Sequence, residues 1–335
     1  MANAINARSK TTATRKGANP AYLAALKMIE QYDTIVIHRH KNPDGDAIGS
    51  QTGLKLTLQH NYPNKTIYAV GDDPKRYGFV EGCAPETIPD EVYSNALAIV
   101  LDSADTHLIS DERYLTAPAT LRFDHHIFVK QFCNHEIVDT SFESCAGLIA
   151  DFLFACKLVV PQVAARALYT GMVTDSGRFR YDSTTPKTLE IAAQLLKTGF
   201  DINDVYTPLY ADDFEMIKLR AQFVLSVRFT EHNVAYIYTT KERVRELGVD
   251  TFTISRGMVG VMSDIRGVDV WVNFTETENE VLCELRSKKY NINPIAVKYG
   301  GGGHAKASGA SVKNYDEAMQ MLADLNHLAA TSVEH

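Results

Sequence analysis

The stretch Thr34-Ile35-Val36-Ile37-His38-Arg39-His40-Lys41-Asn42-Pro43-Asp44-Gly45-Asp46 decides how the chain is read. Thr34 to Ile37 form a short β-branched run of the kind found in a strand buried on both faces. The strand ends in a turn made by Pro43 and Gly45 and crowded with imidazole and carboxylate. Outward from there, three further segments repeat the pattern. Asp102 follows Leu97-Ala98-Ile99-Val100-Leu101, Asp124-His125-His126 follows Leu121-Arg122-Phe123, and Asp175 follows Met172-Val173-Thr174, all read as strand ends. In an open α/β sheet, ligands bind beyond the carboxyl ends of the strands. Four acid-bearing segments meeting on that rim would repel one another unless cations lay between them, so the pattern predicts a metal centre.

The remaining elements follow from caps and periodicity. Asn19-Pro20 opens a predicted helix through about Tyr32. Strands are expected at 34–38, 66–70, 97–101 and 120–123, and helices at 47–60, 144–157, 161–171 and 186–198. Short apolar strands alternating with amphipathic helices predict an α/β domain over 19–199, a parallel sheet with helices on both faces. Residues 200–229 read as a helical connector. A smaller α/β domain with a mixed sheet is expected over 230–330, with strands 234–239, 268–275 and 281–286 and helices near 256–264, 292–298 and 315–328. Residues 1–18 carry Arg8, Lys10, Arg15 and Lys16 but no acid, and read as a disordered basic tail in preference to a transit peptide.

Composition narrows the function classes. A chain of 335 residues is long enough for two cores, and 45% hydrophobic with 22% charged residues is ordinary for a soluble globular protein. No apolar run reaches the roughly 20 residues that span a bilayer. Five cysteines, an odd count with no CxxC pair, favour reduced thiols and a cytoplasmic setting. A net charge of −7 argues against a grip on long duplex nucleic acid and leaves room for a small anionic substrate. A homodimer is compatible with all of this.

Each motif has a bland reading as well. Asn42-Pro43-Asp44-Gly45-Asp46 also suits a tight turn with Asp46 capping the next helix. As chemistry, it holds two carboxylates on one rigid loop, suited to two neighbouring divalent ions, and spacing leaves His38 and His40 as rival ligands. Asp102 alone is also a fair helix cap, while three adjacent ligand-type residues at 124–126 are harder to explain away. Arg178 and Arg180 place guanidiniums for phosphate beside Asp175. In the second half, Gly300 to Gly303 precede His304 and Lys306, and successive backbone N–H groups there would cradle an anion. Arg286-Ser287-Lys288-Lys289 adds cations nearby.

These motifs, in the order HKNPDGDAIGS (40–50), VLDSAD (100–105), DHH (124–126), TGMVTDSGRFRY (170–181), ELRSK (284–288) and GGGGHAKASGA (300–310), resemble the DHH phosphoesterases. The resemblance covers about residues 20–330 and is to the two-domain branch with a DHH-associated domain. Within it the chain is most similar to bacterial nanoRNase/pAp phosphatases and to phosphodiesterases of cyclic di-AMP or pApA. The resemblance implies that His40, Asp44 and Asp102 hold one manganese, and that Asp46, Asp102, His125 and Asp175 hold a second. It implies further that His126 faces the scissile phosphate, and that Arg286, Gly302, Gly303 and His304 bind a terminal phosphate; Ser287 and Lys306 stand beside them.

The expected chemistry is hydrolysis of short oligoribonucleotides or pAp by a water activated between two divalent cations, manganese before magnesium or cobalt. Asp102, His126 and Arg178 would act at the reacting phosphate. The alternatives are a cyclic di-AMP or pApA phosphodiesterase and a non-catalytic nucleotide sensor. A RecJ-type exonuclease is disfavoured by the acidic charge, and a family II pyrophosphatase or exopolyphosphatase by the ELRSK and GGGGH pairing. No GxGxxG follows the first strand, which excludes a dinucleotide-binding oxidoreductase.

Overall fold

A computed structural model describes residues 19–331, so the basic segment 1–18 lies outside the described residues. The chain forms two compact units, Met1–Ala211 and Asp212–His335. The division falls inside the segment read as a connector.

The first unit is built on five parallel strands: β1 (Thr34–His38), β2 (Thr66–Ala69), β3 (Ala96–Leu101), β4 (Ala119–Asp124) and β5 (His135–Val138), in the order β2-β1-β3-β4-β5. Alternate residues face opposite sides of a strand, and the two sides are covered unequally. Ile35, Ile37, Leu97, Ile99, Leu121 and Phe123 pack against the α-helices α1 (Pro20–Gln31), α2 (Gly45–Asn61), α3 (Cys145–Ala155), α4 (Gln162–Asp175) and α5 (Pro186–Leu196). Val36, Ala98 and Val100 lie instead under short 3-10 turns at Asp90–Asn95 and Glu112–Thr116, which bring in Tyr93 and Tyr114. The chain leaves β1 toward β2 on one side and returns to β3 on the other. The carboxyl ends of β1 and β3 therefore flank the crevice where such sheets bind ligands.

One expected strand is not there. Met172-Val173-Thr174 forms the last turn of α4, and Asp175 ends that helix instead of following a strand. The run is apolar because Leu168, Met172 and Val173 are buried in the helical layer, and a short apolar run alone does not separate strand from buried helix. β5 was absent from the expectation, being short and only half-buried.

Helix α6 (Asn203–Tyr210) ends the first unit, and α7 (Phe214–Leu225) opens the second. Its strands are β6 (Arg228–Phe229), β7 (Ala235–Thr239), β8 (Val270–Glu276), β9 (Val281–Ser287), β10 (Gly302–His304) and β11 (Ala307–Val312). They form a mixed sheet in the order β10-β11-β9-β8-β7-β6, with β7 and β8 parallel and the other neighbours antiparallel. Helices α8 (Lys241–Leu247), α9 (Asn293–Lys298) and α10 (Tyr315–Thr331) complete it. The helix expected near 256–264 is instead a π-turn at Thr253–Gly257 and a 3-10 turn at Val259–Met262. The buried Asn273 amide of β8 stabilises this irregular backbone by donating to the Ile254 and Ser255 carbonyls at 2.7 and 2.8 Å.

All five cysteines are free and buried, four in the first unit and Cys283 in the second. Burial pushes the Cys133 and Cys283 thiols up to about 12. Among the described residues no helix is long and apolar enough to cross a membrane.

Candidate metal centre

The turn after β1 is fastened from below. Arg39 is fully buried, donating to Gln51 Oε1 at 2.8 Å and to the Asp72 carbonyl, while Gln51 donates to the Ile37 and Val70 carbonyls. Held this way, the loop presents His40 upward. Its Nδ1 lies 2.8 Å from the Lys41 carbonyl, leaving Nε2 toward the acids, 3.6 Å from both Asp44 Oδ1 and Asp102 Oδ2. His38 is buried elsewhere, 3.3 Å from the Tyr93 hydroxyl. Asp44, not Asp46, caps α2, its Oδ1 accepting from the Asp46 and Ala47 amides at 3.0 Å. That corrects the bland reading of the turn, because the cap sits one residue before Gly45 begins the helix.

Asp46 is turned inward and gripped by the first amides of α3, Oδ2 accepting from Cys145 N at 2.6 Å and Oδ1 from Ala146 N at 2.8 Å. A helix N-terminus carries partial positive charge, which favours this anion. Gly171 of α4 makes the room, since a Cβ there would lie 2.9 Å from Asp46 Oδ1.

Asp102 sits at the middle. Its backbone is left-handed, φ +53°, a conformation that costs a side-chain-bearing residue about 1–3 kcal/mol. Its N–H donates to the Phe123 carbonyl at 3.0 Å. His125 Nε2 lies 3.5 Å from Asp102 Oδ1, 3.4 Å from Asp175 Oδ2 and 3.8 Å from Asp46 Oδ2. Three sets of ligand atoms thus lie within 4.8 Å of one another: His40, Asp44 and Asp102; Asp46, His125 and Asp175; Asp102, His125 and His126. All six residues read from the sequence as metal ligands come together.

The electrostatics describe a site short of positive charge. Burial and then the charges of Asp102 and Asp175 raise Asp46 well above the carboxylate range. Burial, reinforced by Asp102 and Asp44, brings Asp175 up to about 6. Burial opposes charge on His40 and His125, yet the surrounding carboxylates outweigh it and hold them up at about 11 and about 10. Protons on imidazole stand where cations would do the same work. Asp102 Oδ1, buried and without a hydrogen-bond partner among the described residues, has an electron pair available. A carboxylate and imidazole donor set without thiolate fits divalent Mn, Mg or Co.

Comparison with known proteins identifies the family. The DHH family N-terminal domain matches residues 34–172 and the DHHA1 domain residues 236–331. The bifunctional oligoribonuclease and PAP phosphatase NrnA of Bacillus subtilis (strain 168) is 35% identical over 306 residues, covering 90% of this chain and 97% of the relative. The chain belongs to the DHH phosphoesterase family. Within that family, NrnA of Mycoplasma genitalium is 34% identical over 305 residues, covering 90% of this chain and 95% of the relative. The crystal structure of an exopolyphosphatase-related protein from Bacteroides fragilis superposes with a TM-score of 0.81 at 25% identity, over 96% of this chain and 99% of that one.

The motif after α4 carries unusual backbone. Gly177, Arg178 and Phe179 are left-handed in succession (φ +56°, +65° and +59°), and the Arg178 guanidinium lies 4.5 Å over the Tyr210 ring. In the DHHA1 domain the glycine run is not a free loop. Gly302–His304 is β10, paired with β11 at the sheet edge. The glycines permit close approach, as a Cβ on Gly301 would meet Gly309 O at 2.1 Å and one on Gly303, at φ +134°, Ala307 O at 2.7 Å. Arg286 Nη1 donates to Glu284 Oε2 at 3.1 Å and the Leu285 carbonyl at 2.8 Å. The Ser287 hydroxyl oxygen accepts from the amides of Lys289 and Tyr290, bonds that use its lone pairs and not its O–H. His304 and Lys306 are exposed.

Sequence reasoning missed the grip of α3 on Asp46. Ser144 capping α3, its Oγ accepting from Gly147 N at 2.9 Å, was the available signal.

Proposed function

We propose that the chain is a manganese-dependent phosphoesterase that hydrolyses short oligoribonucleotides and pAp. The observation that carries this reading is the meeting of four sequence segments at Asp102, with three imidazoles and four carboxylates in ligand reach. The family relation and the names of the NrnA relatives supply the substrate class.

In this reading His40, Asp44 and Asp102 hold one divalent cation, and Asp46, Asp102, His125 and Asp175 hold the other. Bound there, the pair would supply Lewis acidity, making a water nucleophilic near neutral pH and offsetting phosphate charge. The chain's own residues do the rest. Asp102, strained and central, presents one oxygen to each side of the cluster. His126 is held by Asp124, whose Oδ1 lies 2.7 Å from His126 Nδ1, which leaves Nε2 to meet a non-bridging phosphate oxygen. Arg178, fixed on Tyr210 and its left-handed turn, stabilises charge on the same phosphate. Arg286, Ser287, Gly302, Gly303, His304 and Lys306 bind a terminal phosphate, and the energy of that remote contact goes into orientation.

The test is turnover of the purified protein on pAp, dinucleotides, longer oligomers and cyclic di-AMP, after stripping with chelator and after return of Mn²⁺, Mg²⁺ or Co²⁺. Dinucleotides and pAp should be hydrolysed with Mn²⁺ and spared after stripping. Undiminished activity in the stripped protein, or a marked preference for cyclic di-AMP, would overturn the proposal.

A further inference from the structure

Behind His126 runs a buried line of charge that the metal centre does not use. Strand alternation puts Arg122 and Asp124 of β4 on one face of the sheet. Both are fully buried, and they form an ion pair. In register on β5, Glu136 stands opposite Arg122, its Oε2 3.4 Å from Arg122 Nη1. Its other oxygen accepts from the backbone amides of Phe132 and Cys133, each at 2.8 Å. The Arg122 guanidinium also lies 4.5 Å from the Phe132 ring. At the far end, Asp124 Oδ1 accepts from the His126 backbone N–H at 3.2 Å and lies 2.7 Å from its ring Nδ1.

Stability alone is a poor reason for such an arrangement. Removing charges from water is costly, and replacing buried ion pairs by apolar groups of similar volume is often neutral or stabilising. Arg122 even keeps Nε buried with no partner among the described residues. What the arrangement does provide is direction. Asp124 cannot swing away from Arg122, so the His126 ring is held with Nδ1 inward and Nε2 free. Glu136 in turn fixes the guanidinium and ties it to the backbone at 132–133, just beyond the exposed segment Ile127, Phe128 and Val129 that follows His126.

We propose that Arg122 and Glu136 are positioning residues for hydrolysis, acting through Asp124 on the orientation of His126. This rests on the reading of His126 as the group facing the reacting phosphate. Neither residue touches substrate, so their removal should lower kcat through His126 and leave KM nearly alone.

A kinetic cycle on the Mn²⁺-loaded full chain, with a dinucleotide as substrate, tests this. His126→Ala should lose about 100-fold in kcat, the range of a positioned side chain acting in the transition state. Arg122→Met should lose about ten-fold with KM within about three-fold, and Arg122→Lys should recover only part, because a point charge lacks the guanidinium fork. In the His126→Ala background Arg122→Met should cost nothing further, since residues acting as one unit are non-additive. Glu136→Gln, which keeps shape and an acceptor, should behave likewise at about three-fold, and it carries the test should Arg122→Met not fold. Equal fold-losses in both backgrounds, or full kcat in the single variants, would overturn the positioning role while leaving the metal chemistry intact. Full activity of His126→Ala alone would remove the role of His126 itself, and this inference with it.

Discussion

Gly171→Ala is a single-methyl test of how the metal centre is framed. The new Cβ would lie 2.6 Å from Ala146 Cβ, where ordinary contacts begin at 3.4 Å, and 2.9 Å from Asp46 Oδ1. Helix α3 must therefore recede by about 0.8 Å, and Asp46 is tied to α3 through two amides, so the carboxylate moves with it. Overpacking costs about 1–3 kcal/mol, while replacing glycine by alanine inside a helix returns about 1 kcal/mol. Net destabilisation of the metal-free protein should thus be small, about 0–2 kcal/mol. The effect on Mn²⁺ should be larger in proportion. A shift of several tenths of an ångström in one ligand should weaken binding by about ten-fold, or about 1.4 kcal/mol. Urea melts with and without Mn²⁺ read both quantities, because a ligand that binds only the folded state stabilises it in step with its affinity. Gly260→Ala, where an added Cβ meets nothing within 4 Å, is the control. Wild-type Mn²⁺ affinity and kcat in Gly171→Ala would refute the idea that this glycine makes space for Asp46.

Five further outcomes are expected. Asp102→Asn should abolish hydrolysis while leaving the far-ultraviolet circular dichroism unchanged; turnover near wild type would remove Asp102 from the centre. Mn²⁺ affinity should rise from pH 6 to pH 9, because His40 and His125, raised to about 11 and about 10, must release protons to bind metal. In the chelated protein the same raised values add stability that is full below the ordinary histidine pKa of about 6.5 and lost as pH climbs toward 10, so its melting temperature should fall over that range and Mn²⁺ should blunt the fall. Arg178→Gly should lower kcat without lowering melting temperature, since glycine accepts φ +65° without strain; a destabilised variant would contradict the strain reading. His304→Ala should raise KM for dinucleotides far more than for bis-p-nitrophenyl phosphate, and equal changes would remove the terminal-phosphate role.

Much of the candidate site was legible because its residues cluster in sequence at the ends of apolar strands. His40, Asp44 and Asp46 follow β1, Asp102 follows β3, and His125 follows β4. Asp175 joins the cluster from an element other than the one expected, since Met172–Thr174 is as apolar as a strand while packing as a helix turn. His38 against His40 was open on spacing, and needed the tertiary fact that Tyr93 lies under His38. The glycine run read as an open loop because sequence does not reveal its partner strand, where Gly309 and Ala307 approach too closely for side chains. The Arg122 to Glu136 pairing was hidden for a similar reason. Its register depends on β5, a strand too short and polar to announce itself.

The burial of every thiol gives the molecule an internal gauge of opening. Alkylating reagents need exposed thiolate; packing withholds exposure from all five cysteines, and burial raises the thiol pKa of Cys83, Cys133, Cys145 and Cys283. Cys283 is the single cysteine of the second unit, so a pulse of iodoacetamide under mild denaturant would register that unit by one added mass, while Cys83, Cys133, Cys145 and Cys156 register the first. Cys145, whose amide grips Asp46, should be the thiol whose labelling slows most when manganese is present.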